Sequence, residues 1–557
     1  MNGELHFFPA GDAAILAVLG EGISEEVNDR VRQLYRAVCD AKAPQVVEAV
    51  PSYTSVLVHY GPELASFAEM MAILSSLYDP AAAAAAAQPR TFLIPVCYGL
   101  HFGPDLWEMQ ETLGLSRQEI IDIHSGRDYR VYMMGFLPGF VYLGGMDERI
   151  AYPRLKKPRL HIDAGAVGIA GGQTGVYPSD SPGGWRIIGR TPIRMFDPSA
   201  DPPAPVSPGD LVRFVPISVD EYYGLRRQEQ KKGARQQAAQ GGSGSAFRLK
   251  VLTAGPLSTV QDGGRFGGQA SGMTESGAMD RGSLRLANRL LGNEENAAAL
   301  ELTLFGGSFE IEGEGRIALT GADMQAKING QSVPMNEAVA VRDGDKLELG
   351  AAVKGVRTYL AVPGGIAVPE VLGSRSTNLK AGIGGLEGCK LRAGDVLYAA
   401  SHSVPGTVCC PDPSEGPKTP QNGAESPVPV LRRLAEKTDA EGVTEIRFLF
   451  GPQDDRFSEE AKRIFTQSVY TISQASDRMG YRLDGPAVEA EGGTDILSDG
   501  ICFGSIQIPS DGKPIVMMAD HQTTGGYAKI GTVITSDLPL LAQLGPGRKI
   551  RFREAQK

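Results

Sequence analysis

Glycine and proline interrupt this chain too often for long helices to dominate it. Its 557 residues include 70 Gly and 37 Pro, about one residue in five, where ordinary usage is about 12%. Both residue types weaken helix interiors, so helical bundles and coiled coils are excluded and turn-dense β structure is expected. Apolar residues at 42% suffice for packed cores and exclude a disordered chain. At about 150 residues per domain, the length predicts three or four domains.

Charge and cysteine usage narrow the setting. Fifty-five basic residues against 65 acidic ones leave a net charge of −10, which does not favour nucleic acid as a partner. The six cysteines (39, 97, 389, 409, 410 and 502) form no CxxC pair or disulfide framework and read as reduced thiols of a cytoplasmic protein. The first twenty residues lack a basic leader and carry Asp12, so no signal peptide is expected. No apolar run reaches about 18 residues, so no membrane span is expected either.

Three seams of biased composition divide the chain: seven alanines at 81–87, an Arg/Lys/Gln stretch ending in GGSGS at 226–245, and a proline-rich stretch at 404–441. The first reads as a short spacer, the second as a flexible linker and the third as a disordered insertion. Residues 1–79 read as a small α+β domain. An apolar run at 14–19 precedes a Ser24-capped helix whose Val27, Val31, Leu34, Tyr35 and Val38 share a face. An extended stretch at 46–60 and a second helix at 63–78 follow. Residues 90–222, 246–403 and 442–555 are strand- and turn-like, with helices expected only at 105–123, 282–291 and 458–466. Each of the three ends in a similar turn and strand: SPGDLVRF (207–214), AGDVL (393–397) and GPGRKIRF (545–552). A second echo joins GQTGVY (172–177) to QTTGGY (522–527). The reading is mainly β: three related barrels behind a small α+β domain.

Familiar catalytic devices are missing. There is no phosphate loop, HExxH or GxSxG, and the seven histidines are scattered, so no metal site is expected. GIGG (382–385) is half a dinucleotide fingerprint without a surrounding βαβ pattern. Four Gly/Pro/Arg patches remain. GFLPGFVYLGG (135–145) sets Phe136 and Phe140 among glycines, with Arg154 and Arg159 close behind. Glycine lets backbone approach a ligand, and paired arginines suit carboxylate or phosphate. Residues 165–189 hold Gln173 and Thr174, able to read an amide, and end at Arg190. Residues 255–265 and 276–280 gather Asp262, Arg265 and Asp280. Residues 476–482, 499–500 and 520–529 gather Arg478, Asp499, Asp520, His521, Gln522, Thr523 and Lys529, too polar a set for a routine strand turn. Each patch has a plainer reading as a tight barrel corner or a satisfied turn.

These patches carry a resemblance. With GFLPGFVYLGG, PRLKKPR and GGQTGVYP…SPGGWRIIGRTP, residues 1–222 resemble the first of the two allophanate-hydrolase subunit types, which includes the B subunit of 5-oxoprolinase and the Kip inhibitor of a sporulation kinase. With GPLSTVQDGGR, SGAMD, LGSRST, SDRMGYRL and DHQTTGGY, residues 247–555 resemble the second type, which includes the C subunit of 5-oxoprolinase and the Kip antagonist. The pair is also similar to the carboxyltransferase part of urea carboxylase. The resemblance implies cyclophilin-like barrels and a fused B–C component of a 5-oxoprolinase. It would use ATP and Mg²⁺ to phosphorylate 5-oxoproline for ring opening to glutamate by a separate, lactam-utilisation-type A subunit. Homo-oligomerisation stays open. In that scheme Asp520, His521, Lys529 and Asp262 are the catalytic candidates. Arg265, Gln522, Thr523, Arg478, Asp499, Gln173, Thr174, Arg154, Arg159, Arg190, Phe136 and Phe140 would bind substrate or nucleotide. The rival readings are a carboxyltransferase component of a biotin-dependent carboxylase and a non-catalytic histidine-kinase regulator.

Overall fold

The computed structural model describes residues 5–80, 89–155, 157, 159–236, 247–400 and 429–555. The alanine spacer at 81–87, residues 237–245 of the second seam and residues 404–428 of the third lie outside those residues.

The first domain is a four-stranded sheet, β1 (His6–Pro9), β2 (Ala14–Val18), β3 (Val46–Pro51) and β4 (Ser55–Tyr60), in the order β1-β2-β4-β3. Two helices pack on one face: α1 (Glu25–Ala41), capped by Ser24, and α2 (Phe67–Leu77). The second starts later than its apolar pattern suggests because Ser66 and Glu69 form a capping box.

The next strands are β5 (Thr91–Tyr98), β6 (Asp128–Met134), β7 (Val141–Gly144), β8 (Arg159–Ile162), β9 (Ala166–Ala170), β10 (Gln173–Val176), β11 (Ser181–Gly183), β12 (Arg186–Arg190) and β13 (Leu211–Pro216). Seven of them close a barrel, β10-β7-β6-β13-β5-β12-β9, while β8 and β11 pair outside it as a two-stranded arm. The helix expected at 105–123 divides into α3 (Leu106–Leu113) and α4 (Arg117–Ser125), because Gly114 ends the first at φ +67° and a Ser116–Glu119 capping box begins the second. Helix α5 (Val219–Gln236) corrects the linker reading of 226–245 over its first half. A Ser218–Glu221 box starts it, and Arg, Lys and Gln propagate helices well.

The middle domain holds β14 (Arg248–Ala254), β15 (Leu257–Gln261), β16 (Ala299–Thr303), β17 (Phe305–Glu312), β18 (Gly315–Asp323), β19 (Lys327–Ile328), β20 (Gln331–Ser332), β21 (Ala338–Val341), β22 (Lys346–Ala351), β23 (Lys354–Ala361) and β24 (Val396–Tyr398), with α6 (Arg281–Leu291). These strands form a six-stranded and a five-stranded sheet. Its terminal strand β24 pairs antiparallel with its first strand β14.

Helix α7 (Val430–Lys437) precedes the last domain and corrects the disordered reading of 404–441 at its C-terminal end. Val430 is buried, and Leu431 and Leu434 pack on the core of the final barrel. That domain comprises β25 (Val443–Phe450), β26 (Tyr470–Ile472), β27 (Gly480–Asp484), β28 (Asp495–Gly500), β29 (Ser505–Gln507), β30 (Ile515–Met517), β31 (Thr524–Tyr527), β32 (Lys529–Val533) and β33 (Lys549–Glu554), with α8 (Glu459–Gln467) and α9 (Leu538–Ala542). Its closure, β25-β32-β29-β30-β27-β26-β33, repeats that of the first barrel strand for strand, and β28 with β31 repeats the outlying arm. In both, the last strand runs parallel to the first.

The turn-and-strand echo at 207–214 and 545–552 therefore marks equivalent closing strands. The echo at 393–397 does not, since β24 runs antiparallel to its partner. The QTGVY echo is likewise not an equivalence: Gln173 opens barrel strand β10, whereas Thr524 opens the arm strand β31.

Candidate functional site

Three bodies meet at one junction. The loop between β6 and β7 carries the GFLPGF sequence, and Gly139 N–H donates to the Ser271 carbonyl of the middle domain at 3.0 Å. Gly272, at φ +81°, packs so closely on Leu137 that a side chain there would strike its carbonyl. Gly135 abuts Thr524 of the last barrel, where an added Cβ would overlap the Thr524 hydroxyl. Of the glycines of the first patch, Gly135 is required by close approach between domains, while Gly139 and Gly144 crowd Met195, Phe196 and Tyr132 of their own barrel. Phe136, next to Gly135, is held at φ +65°, an unfavourable conformation for an aromatic residue.

Behind the junction lies a buried ionic network. Arg478 donates from Nε to Asp520 at 2.8 Å, from Nη1 to Glu301 at 2.5 Å and from Nη2 to the Gly277 carbonyl at 2.7 Å. Glu301 also accepts from Tyr359 at 2.7 Å and from Met279 N–H at 2.9 Å. Burial pulls the Arg478 pKa down, but Asp520 and Glu301 more than offset it and hold the guanidinium charged. Arg357 and Gln543 extend the network: Arg357 donates to Tyr481 at 2.7 Å, and Gln543 Nε2 donates to Asp280 at 2.8 Å. This network fastens the middle domain to the last barrel.

The other aspartates are equally committed. Asp262 accepts from the Ser374 hydroxyl (2.7 Å), the Ser376 hydroxyl (2.5 Å), Gly264 N–H (2.9 Å) and Arg375 N–H (2.5 Å). Arg265 braces the same loop through the Val371 and Ser376 carbonyls at 2.8 and 3.0 Å. Asp499 is ion-paired with Lys529, itself 1% exposed, and accepts from Gln453 at 2.8 Å. Burial raises the Asp499 pKa despite the Lys529 charge. These carboxylates therefore do not fit a protein-held Mg²⁺, because protein donors already occupy their oxygens.

In the first barrel, Arg159 forms a two-pronged pair with Asp105 at 2.6 and 2.8 Å. Arg190 binds Asp163 at 2.7 Å and the Ala164 carbonyl at 2.8 Å. Thr174 is a core residue that donates to the Gly168 carbonyl at 3.0 Å, so its oxygen accepts from His124 Nε2 at 2.8 Å. Burial lowers the His124 pKa to about 3. Gln173 is half-buried at the start of β10. Phe140 packs edge-on against Tyr177 and Trp185, at 5.2 and 5.4 Å, in an aromatic cluster that Leu497 of β28 also covers.

Several buried polar groups near the junction lack a hydrogen-bond partner among the described residues. His521 donates from Nδ1 to the Gln522 carbonyl at 2.7 Å, leaving a buried Nε2 without a partner among the described residues. Burial lowers its pKa, and Glu275 offsets only part of that, so His521 is neutral and Nε2 is an acceptor. The Thr523 hydroxyl is also buried and unpartnered, and Gln522 is half-buried beside it. Tyr142 lies near Arg154, Thr524 and Ser498, which hold its pKa to about 12 against burial. Arg154 is exposed and forms no ion pair among the described residues. Lys380 of the middle domain places Nζ 5.7 Å over the Phe136 ring and 3.6 Å from Met479 Sδ. Sequence reasoning includes Tyr142 and Met479 in its patches without singling them out, and it misses Glu301 and Lys380. The last sits in NLKAGIGG, whose glycines are the available signal. A groove of 460 Å³ lies apart, between residues 487–495 and 510–512, and includes none of these groups.

A closed barrel, its repeat and an intervening β domain, interlocked at one junction, accord with the sequence comparison. The chain belongs to the carboxyltransferase-domain family: the model of subdomains A and B matches residues 271–554, and that of subdomains C and D matches residues 5–206. Its C-terminal half is similar to the C subunit of 5-oxoprolinase from Escherichia coli, 39% identical over 310 residues, covering 55% of this chain and 90% of the relative. Its N-terminal half is similar to the B subunit of 5-oxoprolinase from Bacillus subtilis, 42% identical over 235 residues, covering 39% of this chain and 95% of the relative. The solved structure of TTHA0988 matches both halves at once, with TM-score 0.78 and 32% identity over 97% of this chain and 99% of that one. One polypeptide thus unites counterparts of the B and C subunits. No helix among the described residues is long and apolar enough to cross a membrane.

Proposed function

We propose that this chain is the fused B–C component of an ATP-dependent 5-oxoprolinase, acting in the cytoplasm with a lactam-utilisation-type A subunit. The observation that carries the reading is the interlock itself: the counterparts of the B and C subunits meet at Gly135, Gly139, Gly272 and Thr524, beside the Phe136 ring that Lys380 covers.

A five-membered lactam resists hydrolysis because amide resonance weakens its carbonyl as an electrophile and its nitrogen as a leaving group. Transfer of the ATP γ-phosphoryl group to the lactam oxygen breaks that resonance: an O–P bond forms, the bond to ADP breaks, and the ring carbon becomes electrophilic. In the partner, one water adds to that carbon and the C–N bond opens; a second water releases phosphate and leaves glutamate. Mg²⁺ enters with the nucleotide as part of the substrate, since the aspartates here are occupied.

In this chain the half-buried Phe136 offers an apolar face for the ring, and the buried Phe140, Tyr142 and Thr524 pack behind it as its support. His521 Nε2 offers an acceptor, and Arg154 an unpaired cation. Asp262, Arg265, Arg478, Asp499, Asp520 and Lys529 act one layer back, as the groups that fix the walls. The deciding experiment combines the protein with its lactam-utilisation-type partner, ATP, Mg²⁺ and 5-oxoproline and follows ADP and glutamate. The expected result is ADP and glutamate in equal amounts. Release of neither by folded protein overturns the reading.

The family's carboxyltransferase domains favour one alternative, transfer of a carboxyl group from carboxybiotin to an amide. Incorporation of labelled bicarbonate in the presence of a biotin carrier would mark it.

A further inference from the structure

Lys380 is an unusual cation. Its ammonium contacts a thioether, a weak acceptor, at 3.6 Å and an aromatic face at 5.7 Å. Among the described residues no carboxylate lies within ion-pair distance of it. The charge that acts on it is Asp477, whose Oδ1 accepts from the amides of Met479 (2.8 Å) and Gly480 (3.2 Å). The ring beneath the ammonium belongs to Phe136, the residue forced to φ +65°. A strained aromatic residue and a solvent-exposed lysine without a carboxylate partner thus coincide where the three bodies meet. Strain of this kind persists only where surrounding structure enforces it.

We propose that Lys380 binds the anionic oxygen of the ligand at this junction, a carboxylate or a phosphoryl group. The proposal rests on the oxoprolinase reading for the identity of that ligand, whose anion is either the 5-oxoproline carboxylate or the terminal phosphate of ATP. The Phe136 face holds the side chain in place without neutralising it, so its charge is available to the ligand. Lys380 is open to solvent, yet packing around it pulls its pKa down, and Asp477 offsets only part of that. An incoming anion reverses this penalty.

The test labels Lys380 in the intact protein by reductive methylation, read by peptide mass spectrometry without ligand, with 5-oxoproline, and with the Mg²⁺ complex of β,γ-imido-ATP. At least a tenfold slowing of labelling by one ligand is expected, and the protecting ligand identifies the anion. K380M should weaken binding of that ligand by ten- to a hundredfold in calorimetry, and K380R should restore part of it. Undiminished labelling with both ligands overturns the proposal whether or not the enzyme turns over. Protection without turnover overturns the oxoprolinase reading and leaves the anion site standing.

Discussion

Every donor edge of Arg478 is spent on a protein acceptor, from Asp520 to Glu301 and the Gly277 carbonyl. Removing the guanidinium strands two carboxylates in a dry interior, so R478M should destabilise the protein by about 3–5 kcal/mol, read as a lower midpoint in thermal or urea unfolding. A neutral result would show that the network is not closed as described. This residue also shows how far sequence reasoning reaches. Arg478 and Asp520 stand out as a polar patch because their neighbours are small, and the structure does place them together. Their partner Glu301 lies 177 residues from Arg478 in a strand, ALELT, with nothing polar around it to attract notice. A chain displays which residues are charged; it does not display which charges are already satisfied, and satisfaction separates a wall from a working group. Lys380 escapes notice for the converse reason. Being unpaired is visible only once every possible partner has been placed.

Among the elements, helix α7 lies where proline-rich composition points to disorder. Its apolar residues Val430, Leu431 and Leu434 sit on one face, a helical period hidden by the flanking prolines. Leu431 packs toward Gly355 of the middle domain as well as the last barrel core, so α7 ties the two together. L431D should cost about 2–4 kcal/mol, in the range of deleting a core leucine, with a matching fall in urea midpoint; an unchanged midpoint would mean that the helix is a passive appendage. The barrels themselves are readable through their closing strands, because a Pro/Gly turn followed by alternating residues is a local signal. Their strand order is not, since ring closure depends on pairings between distant segments, such as β5 with β13.

For the molecule as a whole, a titratable group seals the contact between the halves. Glu48 of the first domain accepts from Gln269 N–H and Nε2 of the middle domain at 2.7 and 3.0 Å. Burial raises its pKa from 4.5 to about 7, and the Gln269 and Gly267 amides offset only part of the rise. A carboxyl that holds its proton more tightly when folded loses stability as pH rises. The loss amounts to about 3 kcal/mol between pH 4.5 and about 7 and is complete above that. His59, paired across the strands with Glu48, runs the other way: burial lowers its pKa to about 4, so its contribution grows between pH 4 and 6.5. E48Q isolates the first effect and should be accepted, because Gln269 Oε1 is unpartnered and buried and a flipped amide can face the new side chain. The wild type should lose stability relative to E48Q from pH 5 to 7 and keep a constant offset above pH 7.5. Parallel curves for the two proteins would assign the pH dependence elsewhere.

The contact of Gly135 with Thr524 has a consequence for how such a chain can change over generations. The loop of one half fills a notch in the other, so no side chain larger than hydrogen can appear at 135 until 524 has first become smaller. Neither half can explore replacements there alone. Two segments 389 positions apart are thereby bound to a shared mutational history, in a fixed order of events, whether one gene or two encode them.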